Sequence, residues 1–317
     1  MKSFIRIFSL GIIYIFLLSS ISSAQYSPQY YNHYIALAQS ETDIDSSIIY
    51  YEKAFSYIEK PFLDHNLSLA RDYARAGQQD KLIESYKHLL KYGYSYESIF
   101  SSFYKVDISK DLADRLKEIK RSALNLDIEF IAEFSKYYGA EQFIRKRSRR
   151  DTCLKKDMGE IDSLNNLRLK KYIDKNGFPH EFKTGRYKNI PFFMLLHIIS
   201  NESTHKAWLD YYRPILISLA EEGKFYYPHI ARFDDRYYAI FHGYQLYGTS
   251  LSIEGFHPDM TDDEIKKLPY VLDTPVKDIE NLDQCRKTLF LDPFYMEAER
   301  FGIELPEDYS PKNKTCD

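Results

Sequence analysis

The sequence predicts a mainly α-helical protein (α+β) in two parts: a short solenoid of paired helices, then a helical domain carrying one β-hairpin. Three observations predict it. Residues 30–92 place small and large apolar side chains at helical spacing, and the pattern recurs after about 35 residues. After the basic run Arg145–Arg150 the chain continues in helical patterns punctuated by Gly and Pro stops, as far as Gly223. Only 236–252 turns rich in β-forming residues.

Met1–Ala24 comes first. Lys2 and Arg6 precede the apolar run Ile7–Leu18, and Ser22-Ser23-Ala24 offers a small-residue cleavage site before Gln25. This pattern predicts a signal peptide and an exported protein that is periplasmic, at the cell surface or secreted. Cleavage leaves no stable membrane span. In 25–125, Ala70, Tyr73, Leu82, Tyr86 and Leu89 occupy packing offsets, with Ala76–Asp80 as the turn between two helices. Ser47, Tyr51 and Ala54 stand 35 residues before the last three, and Ala36 falls near the place of Ala70 with a one-residue slip. The segment resembles tetratricopeptide repeats, in roughly two copies. Since about three are normally needed, Asp111–Lys120 and Asp127–Tyr138 are expected to complete the stack.

The basic run Arg145–Arg150 reads as a solvated helix face near the domain junction. In the second domain, 126–305, Asn176-Gly177-Phe178-Pro179 stops one helix. Ile190–Ser200 is a buried helix, and Asn201 or Ser203 caps the next, which runs through Trp208 to Glu222 and is ended by Gly223. Tyr237–Phe241 and Tyr244–Leu251, joined at His242-Gly243, read as the hairpin, with Gln245, Tyr247 and Thr249 on one strand face. Thr261–Glu264 has capping-box spacing. Leu282–Leu289 and Phe294–Phe301 close the domain, and 306–317 reads as a mobile polar tail.

The formal charge of −3 becomes two units more negative once Lys2 and Arg6 are removed, which leaves no electrostatic case for nucleic acid. The 29 Tyr and 21 Phe are spread along the chain and serve packing. Cys153, Cys285 and Cys316 permit one disulfide and one spare thiol, with three pairings open. The sequence has no nucleophile elbow, phosphate-binding Gly loop, zinc-protease helix or paired-Cys motif, so neither cofactor nor metal is expected.

What stands out is polar residues set in apolar text: His197, Asp235, Arg236, Gln245, Tyr247 and Thr249. A buried His or Arg needs a partner, so the set is either a self-satisfied network or a pocket wall. With Asn166, Arg168-Leu169-Lys170, Gly177-Phe178-Pro179, Asp283, Arg286 and Pro293, these residues make 127–303 resemble an uncharacterised bacterial domain family with no established activity. Leu196 and Ile199 stand where that family often has Gln and Asp, so a carboxylate for His197 would have to come from Asp235 in space.

The expected function is an exported binding protein. The repeats are a scaffold and a possible protein or peptide surface, while the second domain takes a small ligand or peptide. The alternative is a hydrolase-like enzyme using His197, Asp235 and Arg236. A third possibility is that the polar set only locks the hairpin onto the helices.

Overall fold

In the computed structural model, residues 26–100, 108–119, 126–148, 154–257, 260–265 and 267–311 are described. The expected signal peptide, Cys153, Cys316 and the last two basic residues, Arg149 and Arg150, lie outside them. The architecture is mainly helical with one two-stranded antiparallel sheet.

The chain begins with two helix pairs: α1 (Pro28–Ser40) with α2 (Ile44–Phe55), then α3 (Leu63–Arg75) with α4 (Gln79–Leu90). Every boundary of the first pair recurs 35 residues later in the second. Ser47, Tyr51 and Ala54 are buried, as are Leu82, Tyr86 and Leu89. The place of Ala70 is filled by Ile35, and that of Tyr73 by Ala38, without the expected slip at Ala36. A large–small exchange between neighbouring positions conserves volume at the helix crossing, and this hid the first copy. α5 (Tyr96–Ile99) and α6 (Lys110–Glu118) follow, and Ile99, Leu112 and Leu116 extend the same core.

α7 (Ile128–Ser148) does not complete that stack. Its Phe130, Ile131 and Phe134 pack in a second core with Leu169 and Tyr172 of α8 (Leu154–Asn176). Around them run α9 (Glu181–Thr184), a 3₁₀ turn (Gly185–Tyr187), α10 (Asn189–Ser200), a π-helical turn (Trp208–Tyr212), α11 (Arg213–Glu221) and α12 (Tyr227–His242). No described helix is long and apolar enough to cross a membrane.

The hairpin lies elsewhere than expected. Tyr237–Phe241 belongs to α12, which has Pro228 in its first turn and ends at Gly243, φ 73°. Its buried residues Tyr227, Ile230, Ala231, Asp234 and Tyr237 recur at helical spacing. The β-propensity of its Tyr, Phe and Ile yields to burial of that face. The sheet is β1 (Leu251–Ile253) against β2 (Tyr270–Leu272), with Ser252 opposite Val271. Between them the short α13 (Asp262–Ile265) opens with the predicted box, Thr261 N–H donating to Glu264 Oε2 at 2.8 Å.

α14 (Leu282–Lys287) and α15 (Phe294–Phe301) close the domain. The start of the expected mobile tail is packed: Tyr309 is buried, and its hydroxyl donates to Asp283 Oδ2 at 2.9 Å. Aromatic burial outweighs the polarity of its neighbours.

Candidate functional site

The sequence-predicted residues separate into three places. Asp235, fully buried on α12, accepts from the backbone N–H groups of Leu246 (2.6 Å), Tyr247 (2.9 Å) and Thr249 (2.7 Å), and from Thr249 Oγ1 (2.8 Å). Residues 245–250 are therefore not a strand with a polar face but a loop wrapped around one carboxylate. Gln245, also fully buried, bonds within the loop and beyond it: Nε2 donates to Thr274 O at 2.6 Å, and Oε1 accepts from Ser250 N at 3.0 Å. Arg286, 1% exposed, ties this loop to the closing helices through Tyr247 O (2.6 Å), Asp292 O (2.6 Å) and Glu297 Oε2 (2.5 Å). Burial raises the Asp235 carboxyl, while the four donors hold it down. Asp235, Gln245 and Thr249 form a scaffold with their polar atoms occupied, and Tyr247 packs in the second core.

Arg236 is exposed, and its Nε donates to Ser200 Oγ at 3.0 Å. His197 meets Glu141 of α7, not Asp235. The sequence-level catalytic set of His197, Asp235 and Arg236 is therefore not assembled, because the carboxylate assigned to the imidazole is held by its own loop. Arg145 also departs from expectation. It is no solvated residue, since its Nε donates to Glu141 Oε1 at 3.1 Å and its Nη2 pairs with Asp162. Cys285 carries a free thiol.

The concave site lies where the helix pairs meet the second domain. A cavity of about 460 Å³ is lined by residues from α1, the start of α3, the α9–α10 region, α12 and α15. The two parts are joined around it: Asn32 Nδ2 donates to Phe290 O at 3.0 Å, and Leu63 N to Glu181 Oε1 at 3.1 Å. Lys188 pairs with Asp64 and lies 3.7 Å from Glu181. Phe62, His65 and Tyr226 form an aromatic wall, with the His65 and Tyr226 ring centroids 4.8 Å apart.

Arg232 of α12 and Arg300 of α15 line this cavity, and neither forms an ion pair with another described residue. Burial draws the Arg300 guanidinium below its usual value against the pull of Glu297, and the charge of Arg232 adds to the depression. Both side chains are exposed, and the Arg300 guanidinium also lies over the Phe301 ring, 4.9 Å from its centroid. Asn32 Oδ1, Asp292 Oδ2 and His229 Nδ1, on residues lining the same cavity, are buried atoms without a hydrogen-bond partner. Such atoms are costly unless a ligand or water meets them. Of the candidate site residues singled out in the sequence, Thr249 lines this cavity; the rest of the site was missed, because its residues come from segments more than 200 positions apart and share no local spacing.

The cavity's titratable groups predict acid sensitivity. Burial pushes His65 and His229 down to about 3, and His180 to about 4. Each depressed imidazole is neutral when folded and takes a proton when unfolded below about pH 6.5, so its contribution is full above that pH and is lost as pH falls towards the folded values. Glu181, pushed up to about 7 by burial, opposes this between pH 4.5 and 7, since a raised carboxyl stabilises at the acid end. Three histidines outweigh one glutamate. Stability is expected to fall from pH 7 to pH 5, by up to about 1.4 kcal/mol per pH unit for each histidine before that offset. Urea unfolding at the two pH values checks this, and equal or greater stability at pH 5 contradicts it.

No family model, curated protein or solved structure matches the chain. The function is therefore argued from the cavity itself.

Proposed function

We propose that the protein is an exported binding protein whose cavity between the helical repeats and the second domain holds a small organic anion. The observation that carries this is the pair Arg232 and Arg300, facing one cavity without an ion pair to another described residue. A guanidinium pair matches the geometry of a carboxylate or phosphate. The Phe62–Tyr226 wall supplies apolar contact for the rest of the ligand. His65 and His229, neutral near pH 7, offer hydrogen bonds without adding charge. The leader-like residues 1–24 support export, and the paired helices support a scaffold role like that of the tetratricopeptide repeats they resemble.

A thermal-shift screen of carboxylates and phosphate esters against neutral analogues tests the proposal. Anions are expected to raise the unfolding midpoint, and less so as salt rises. Arg232→Gln and Arg300→Gln are each expected to weaken binding by about 10-fold or more, since a charged hydrogen bond contributes about 1.5–3 kcal/mol. Binding unchanged in both variants, or a preference for the neutral analogues, overturns it.

A further inference from the structure

The geometry points to a divalent transition-metal site, separate from the cavity, formed by Glu141 of α7, Asp162 of α8 and His197 of α10. Their ligand atoms all lie within 4.8 Å of one another. Three facing helices each contribute one ligand, the way helical bundles build metal sites in their cores. Glu141 is 2% exposed, Asp162 6%, and the His197 side chain 17%.

One imidazole and two carboxylates form a donor set suited to zinc or manganese, with a coordination position left for water. His197 Nδ1 is buried against the Glu141 carboxylate yet makes no directed hydrogen bond. The imidazole nitrogen and the carboxylate oxygen thus face each other, as two ligands of one ion would.

The surroundings match what a ligated carboxylate requires. Arg145 contacts both acids, and Asn165 Nδ2 donates to Glu141 Oε2 at 2.9 Å. These bonds fix how the carboxylates are turned. Among the described residues, the two buried carboxylates both meet the Arg145 guanidinium. A divalent cation there would be attracted by both carboxylates and ligated by the imidazole nitrogen. The competing arrangement is a closed ion cluster in which His197 and Arg145 alone partner the two carboxylates, and it needs no metal.

The test uses the mature chain, stripped with a chelator and titrated with zinc and with manganese in separate experiments. Calorimetry and elemental analysis are expected to give about one equivalent of one of these metals per chain, with a raised unfolding midpoint. His197→Gln and Asp162→Asn are each expected to weaken that binding by at least about tenfold. Two variants are used so that a folding failure in one leaves the other to decide. Absence of stoichiometric binding by the wild-type chain overturns the site and favours the closed ion cluster. Equal metal affinity in a folded variant places the metal elsewhere and overturns it as well.

Discussion

Asp235→Ala is expected to destabilise the protein by about 3–5 kcal/mol, the range for removing one partner from a buried charged network. The substitution leaves the N–H groups of Leu246, Tyr247 and Thr249 and the Thr249 hydroxyl without their acceptor in a buried loop. Each unsatisfied donor costs about 1–3 kcal/mol, and relaxation of the loop recovers part of the sum. The damage also spreads, because the same loop presents Tyr247 O to the buried Arg286 guanidinium at 2.6 Å. Asp235→Asn is expected to fall between, since its amide nitrogen would face donors where an acceptor is needed. Urea unfolding at pH 7 measures both variants. A midpoint within about 0.5 kcal/mol of wild type for Asp235→Ala, the level of an ordinary surface change, contradicts the scaffold role.

Gly185→Ala has the second large effect, and it acts on the joint between the two parts of the chain. Gly185 holds φ 56° and ψ −131°, a backbone state that side chains other than glycine rarely adopt. A Cβ there would lie 2.1 Å from Tyr92 O and 2.9 Å from Leu126 Cδ2. The first of these is backbone, so no rotamer change relieves it. Beside it, Arg186 N–H donates to the same Tyr92 carbonyl at 3.0 Å, binding the end of the helix pairs to the second domain. Backbone strain and overpacking together are expected to cost about 2–5 kcal/mol. Because the clash sits at the seam, the two cores should uncouple, giving two unfolding transitions or a loss of anion binding before global unfolding. A single transition at the wild-type midpoint counts against this account.

Much of the helical order was legible because it depends on short-range rules. The 35-residue recurrence, the stop at Asn176–Pro179 and the apolar run from Ile190 each state a local period or a chain break. The Gln245–Thr249 segment was also recognisable as special. What could not be read was the direction of its polar atoms, which point inward to its own backbone and to Asp235 rather than to a ligand. Tyr237–Phe241 was misread for a related reason: its residues favour strands intrinsically, and only packing against the second core chose the helix.

The sequence by itself therefore determined the helical class and many helix ends, since periodicity and Gly or Pro punctuation act within a few residues. Tertiary structure alone decided which charges meet. His197 found Glu141, Arg145 found Asp162, and Arg232 came to share a cavity with Arg300. Such encounters depend on how distant helices cross, and desolvation there, rather than residue type, sets what each charge requires of its neighbours.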